Sequence, residues 1–241
     1  MAQRAAIVTG ASSGIGLAVA RVLLQEGYGL TAVARRPEKL ETAVAELGRE
    51  GGEIERVAGD VSSEEVVRGA VEAHRHRFGR LDVLVNSAGL GIGQQASELG
   101  TKHVDIQLAV NLRATILFYR ECAEMLRAAG HEHHNALVIN MSSIAGKSGQ
   151  PWLSVYSATK HGVIGFTQAM NKELSSDGVK SCALCPAFVD TAMTDFVKGS
   201  VPAEQMIRPE DIGEAVRMLL RLSRWCLVPE IVFQRVGETG A

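Results

Sequence analysis

At 241 residues, with 46% hydrophobic and 22% charged side chains, the chain has the make-up of an ordinary globular protein and fits one large α/β domain over 1–241. A formal charge of −2 gives no electrostatic basis for nucleic acid or an anionic membrane as partner, and no apolar run reaches the ~18 residues that span a bilayer. Met1-Ala2-Gln3-Arg4-Ala5 enters a strand-like run at once, so no secretory signal is expected and the compartment read from the sequence is the cytoplasm.

The first predicted strand, 5–9, runs through Gly10-Ala11-Ser12-Ser13-Gly14-Ile15-Gly16 into an apolar-periodic helix at 14–26. Glycine permits a tight turn and close approach of the backbone to a ligand. A helix start offers unpaired N–H groups and a positive dipole end to an anion. This is a dinucleotide-binding arrangement with altered glycine spacing. Gly10, Ser12, Ser13, Gly14, Ile15 and Gly16 are therefore expected to hold a phosphate-bearing cofactor rather than to form a merely conformational turn.

Strand 30–34 ends at Ala34 and is followed by Arg35-Arg36. A carboxylate here would hold the adenosine ribose hydroxyls and repel a 2′-phosphate. Two guanidiniums instead suit bidentate phosphate binding, so NADP(H) is expected over NAD. Helices at 37–49 and 63–78 then alternate with strands 54–58 and 83–86. Val83-Leu84-Val85 is apolar without alternation, as in a strand buried on both faces.

A helix is predicted at 101–129. The polar stretch Gly130-His131-Glu132-His133-His134-Asn135 reads as a solvated loop, and no metal is assigned to its histidines. Strand 136–141 leads to Ser142-Ser143, helix 154–176 follows, and strand 180–185 carries Cys182 and Cys185. With Cys122 and Cys226 these read as structural thiols. Helix 209–223 and strand 230–235 complete the chain. The alternation predicts an α/β, doubly wound Rossmann fold: a seven-stranded, mostly parallel sheet with helices on both faces.

Tyr156 and Lys160 are four residues apart, which on a helix places them on one face. An ammonium beside a phenol favours the phenolate. Bringing the phenol from about 10 to about 7 would require about 4 kcal/mol, and Lys160 is the expected source.

Assembled in order, these segments resemble the short-chain dehydrogenase/reductase family over nearly the whole chain. Thr9 to Gly16 is similar to its cofactor loop, Asp60-Val61 to its adenine-contacting pair, and Asn86-Ser87-Ala88-Gly89 to its Asn-Asn-Ala-Gly. Asn111 falls where the family has its helix asparagine. Ser143 and Tyr156-x-x-x-Lys160 complete the catalytic set, and Pro186 with Thr191, flanking Val189, resembles Pro-Gly-x-x-x-Thr. Ser87 and Ala187 are small-for-small departures. The C-terminal segment lacks the glycine pair that many relatives carry, which leaves dimer and tetramer equally open.

The resemblance implies hydride transfer between a nicotinamide and a carbonyl or secondary alcohol. Tyr156 would be the general acid/base and Lys160 a second hold on the nicotinamide ribose. Ser143 would steady the substrate oxygen, because adjacent residues at a strand end point to opposite sides and family spacing selects Ser143 over Ser142. Asn111 would hold a water linked to Lys160. The substrate pocket is expected from Leu90, Ile92, Trp152, Phe188, Met193, Phe196 and Met206, suiting an apolar carbonyl compound, while Lys147 and Lys198 could meet an anion. The competing reading is a catalytically silent dinucleotide-binding sensor or scaffold, for which the full catalytic set has no use. A nucleotide-sugar epimerase or dehydratase ranks last, since only 55 residues follow Pro186. Leu108, Leu112, Ile116, Phe118 and Leu126 leave helix 101–129 apolar on more than one face, so a homodimer or homotetramer is expected.

Overall fold

Strands of four to eight residues rich in Val, Ile, Leu and Ala lie side by side in one seven-stranded sheet of order β3-β2-β1-β4-β5-β6-β7. The computed structural model describes residues 4–237. The strands are β1 Ala5–Thr9, β2 Gly29–Ala34, β3 Ile54–Ala58, β4 Val83–Asn86, β5 Ala136–Met141, β6 Val179–Pro186 and β7 Glu230–Phe233. Every pairing is parallel, with Ile7 opposite Thr31 on one side and Leu84 on the other.

Parallel strands need crossover helices, and these cover both faces. The helices are α1 Gly14–Gln25, α2 Pro37–Leu47, α3 Glu64–Phe78, α4 Thr101–Leu108, α5 Ala114–His133, α6 Ser154–Leu174 and α7 Pro209–Arg221. Alternate residues of one strand enter opposite cores. Val83 and Val85 join Leu23, Leu40 and Ile212 beneath α1, α2 and α7, whereas Leu84 joins Val67, Phe118 and Leu126 beneath α3 and α5. That is why β4 shows no polar alternation. Among the described residues no helix is long and apolar enough to cross a membrane.

The region read as one helix and a loop differs. α4 passes through a π-helical segment, Ala109–Arg113, before α5, and α5 continues through His133. The solvated-loop expectation for the histidines is thus corrected. Gly130 is not a helix stop: a Cβ there would lie 2.3 Å from the Asp177 carbonyl oxygen, so its absence lets α5 touch the turn before β6. His134, at φ 55°, ends the helix in the left-handed region.

The extended helix brings His133 to the amino end of the sheet. Its Nε2 lies 2.9 Å from Asp82 Oδ1. Asp82, 1% exposed, also accepts from Ala5 N at 2.8 Å and from Arg80 Nε and Nη2 at 2.9 and 2.7 Å. Burial pushes its carboxyl up, but the hydrogen bonds from His133, Arg80 and Ala5 prevail and hold it at about 2. Buried His74 bridges Thr31 Oγ1 and the Arg80 carbonyl, both at 2.8 Å.

Candidate active site

The carboxyl ends of the strands open into a cleft of about 950 Å³. In doubly wound sheets this is where ligands bind. β1 delivers the glycine-rich turn to one end of it. Gly16 packs directly on Gly10, since a Cβ at Gly16 would lie 2.3 Å from the Gly10 carbonyl oxygen, and Gly10 itself turns at φ 70°. Ser13 is the N-cap of α1 but its side chain makes no capping hydrogen bond. The first-turn N–H groups, which an α-helix cannot satisfy internally, stand at the cleft wall. Thr9 locks this turn to the next strand: its Oγ1 accepts from Ser87 N and Ala88 N, both at 3.0 Å.

Arg35 and Arg36 line the same end, are exposed, and engage no acidic partner among the described residues. Most other arginines of the surface, such as Arg120 with Glu64 and Glu121, are paired. Asp60 lines the wall with Val61, its Oδ1 accepting from Ser62 N at 2.9 Å. Ala88, Gly89, Pro186, Val189 and Thr191 also line the cleft. Close glycine backbone, a helix N-terminus and two uncommitted guanidiniums fit a phosphorylated dinucleotide.

Ser143, Tyr156 and Lys160 meet on the opposite wall. Ser142 and Ser143 both lie at the cleft but are engaged differently. Buried Ser142 donates to the Lys160 carbonyl at 2.9 Å and braces the loop, while half-buried Ser143 faces the cleft with its Oγ 3.4 Å from the Pro186 carbonyl oxygen. Lys160, 4% exposed, donates from Nζ to the Met141 carbonyl at 2.7 Å and lies 5.4 Å from the centroid of the Tyr156 ring.

The expected lowering of Tyr156 by Lys160 is not found. Burial pushes the phenol up from its ordinary value, and the hydrogen bond with Ser143 pulls the other way. Burial also brings Lys160 down to about 8, and its Nζ is directed at a carbonyl rather than at the phenol oxygen. The group that tempers Tyr156 in this arrangement is Ser143.

Two expected residues stand behind the wall rather than in it. Asn86 directs Nδ2 to Asn140 Oδ1 across β4 and β5 at 2.9 Å, and Asn140 continues to Thr167 Oγ1 at 2.9 Å. Asn111 uses Nδ2 on the Leu90 carbonyl at 2.9 Å and on Thr159 Oγ1 at 3.2 Å, while its Oδ1 accepts from Leu90 N at 2.9 Å. Its side chain is therefore a clamp on the loop after β4, with both amide atoms committed to protein partners. The π segment around Asn111 aims the amide at that loop.

Gln107, fully buried one turn earlier, clamps the same loop through Oε1 and Ile92 N at 3.1 Å. Sequence reading passed over Gln107 and took Thr9 only as part of the cofactor loop. The signal was available: two amides four apart, Gln107 and Asn111, in a stretch whose apolar residues already filled the core face.

The outer half of the cleft is walled by Leu90, Trp152, Leu153, Phe188, Met193 and Phe196. Ile92 and Met206, expected there, are not in its wall; Met206 is 7% exposed and packed inward. Lys147 pairs with Glu230 at 2.8 Å, and Lys198 pairs with Asp190 and Asp195 at 2.9 and 2.8 Å, so neither lysine is held ready for an anion. Trp152 adopts φ 65°, a left-handed conformation that costs a bulky residue about 1–3 kcal/mol. Its carbonyl accepts from Gln94 N at 2.8 Å, tying the two loops across the opening.

A doubly wound parallel sheet with a glycine-rich first turn and a Ser-Tyr-Lys wall defines a dinucleotide-dependent oxidoreductase class. The family model described as short chain dehydrogenase matches residues 4–200, and the chain belongs to that family. An alcohol dehydrogenase from the archaeon Thermococcus sibiricus, solved with 5-hydroxy-NADP, is similar at 31% identity and TM-score 0.88, with 99% of each chain covered. An actinorhodin polyketide ketoreductase solved with NADPH is similar at 31% identity and TM-score 0.87, with 95% of each chain covered. The Streptomyces coelicolor protein named "Putative ketoacyl reductase" is 34% identical, with 89% of each chain covered.

Proposed function

We propose that the chain is an NADP(H)-dependent oxidoreductase acting on a carbonyl compound or secondary alcohol, with Tyr156 as general acid/base. One observation carries the reading: Ser143, Tyr156 and Lys160 share one wall of a cleft whose far end holds the glycine turn and the unpaired Arg35 and Arg36. Bound cofactor would supply or accept the hydride. The glycine turn and the start of α1 would hold its pyrophosphate, and Arg35 and Arg36 the additional phosphate. Tyr156 Oη would give its proton to the substrate oxygen as charge builds there. Ser143 Oγ, on the same wall as Tyr156 and 3.4 Å from the Pro186 carbonyl, would donate to the same oxygen. Lys160 would hold positive charge beneath the site and return the proton toward solvent. The apolar outer wall favours an uncharged, largely apolar substrate.

Tyr156→Phe removes one oxygen and keeps the ring. It should lower kcat by about 10²–10⁴-fold while leaving NADPH affinity within a small factor, read by fluorescence titration and steady-state rates. Retained turnover would overturn the role. The sensor reading predicts an unchanged response instead, and the complete donor wall speaks against it.

A homodimer or homotetramer belongs to the same proposal. Of the apolar residues on the faces of helix 101–129, Phe118 and Leu126 are in the core, while Leu108 at 41% and Ile116 at 38% exposure are left outside. A single species near the 25.7 kDa chain mass on size exclusion would remove it.

A further inference from the structure

Among the described residues, the walls of the cleft carry charge only at Arg35, Arg36, Asp60 and Lys160, which flank the dinucleotide end and the proton donor. In the outer half the apolar character is broken by Gln150, half-buried in the turn that leads to α6, and by Thr194. Nearly all of the polar atoms of Gln150 are engaged in holding that turn. Its main-chain N donates to Ser157 Oγ at 3.1 Å, its carbonyl accepts from Leu153 N at 3.1 Å, and Nε2 donates to the Ser148 carbonyl at 3.2 Å. Turning the amide over would set Oε1 against the Ser148 carbonyl, two acceptors face to face, so the orientation is fixed. Oε1 is left with no hydrogen-bond partner among the described residues.

We infer that Gln150 is a specificity-determining residue and that the substrate is a hydroxylated carbonyl compound, whose hydroxyl donates to Gln150 Oε1 while its carbonyl meets Ser143 and Tyr156. The inference rests on the oxidoreductase reading and narrows its substrate class. A bound apolar molecule lacking a donor would cover Oε1 and leave an acceptor without water or partner, which is penalised. A second carbonyl or an ether oxygen cannot answer that need, because neither donates. A hydroxyl can. Thr194, which also lines the cleft, does not compete for this role, since its Oγ1 already accepts from Thr191 N at 3.2 Å and its proton is shared between the Val189 and Thr191 carbonyls.

The test compares 1-tetralone, its monohydroxy isomers and the matching methoxy compounds with NADPH, using the whole protein and its Gln150→Met variant. The readout is the ratio of kcat/KM for a hydroxy isomer to that for 1-tetralone within each protein, so that any loss of folding or overall rate cancels. In the wild type at least one hydroxy isomer should exceed the parent by about tenfold. Its methoxy counterpart should not, and in Gln150→Met the ratio should fall to near one. A gain that survives in Gln150→Met, a gain shared by the methoxy compound, or reduction of 1-tetralone with no hydroxy isomer favoured would each overturn the inference. If the wild type reduced none of the carbonyls with NADPH, the oxidoreductase reading itself would fall, a result distinct from the other three.

Discussion

The two ends of the sheet treat polar groups in opposite ways. At the amino end, Asp82 is enclosed by Ala5 N, Arg80 and His133, and His74 ties Thr31 to Arg80. At the carboxyl end, Arg35, Arg36 and Gln150 Oε1 have no partner among the described residues, Lys160 is buried with one carbonyl partner, and Trp152 is strained. One end closes on itself and the other is poised toward something outside the chain. Stability and function are thereby separated along the strands, and each can be perturbed alone.

The largest effect is expected at the closed end. Asp82→Asn leaves Arg80 without its buried counter-charge and should cost about 3–5 kcal/mol in urea unfolding, with the kcat of the remaining folded enzyme unchanged. The pH dependence has a definite sign. Because Asp82 is held at about 2 in the fold against 3.8 ordinarily, its contribution is full above pH 4 and disappears as the pH falls toward 2, about 2 kcal/mol in all. The variant should lack that acid limb. An equal loss of kcat would show that the two ends are coupled.

Lys160→Met tests the open end from the other direction. Burial lowers this lysine to about 8, so the fold bears a cost for charging it below pH 8, and wild-type stability should gain from pH 8 toward 10 as the ammonium neutralises. The variant should be inactive yet unfold at a urea concentration no lower than wild type at pH 7, with the difference narrowing by pH 10. A clearly less stable variant would mean that the Met141 hydrogen bond outweighs the burial cost.

How much of this was legible in the sequence follows the same division. Strand positions and the cofactor turn were readable, because continuous apolar runs and glycine spacing are local signals. So was the wall of Ser143, Tyr156 and Lys160. The amino-end network was not: Asp82 and His133 are far apart in sequence, and Gly130 mimicked a helix stop while serving a close contact with Asp177 and Gly178. The π segment was also hidden, since apolar periodicity does not register one extra residue per turn. Reading Tyr156 as tuned by Lys160 failed because four-residue spacing places two side chains on one face without saying where the ammonium points.

A smaller effect sharpens the open end. Replacing Arg35 and Arg36 together by Ala should weaken NADPH by about 1–3 kcal/mol while changing NADH little, measured as the ratio of their kcat/KM values. A ratio unmoved by the double change would take those guanidiniums out of cofactor recognition.

The loop after β4 owes its path to Gln107 and Asn111, which grip the main chain at Leu90 and Ile92 from α4 and the π segment. That grip falls on main-chain atoms, so it does not depend on which side chain stands at either position. The enclosure around the reacting carbon can therefore be re-tailored at Gly91, where an added Cβ would meet the Tyr156 ring at 3.6 Å, an ordinary contact, without loosening that hold. A lineage built this way can change diet while keeping its chemistry.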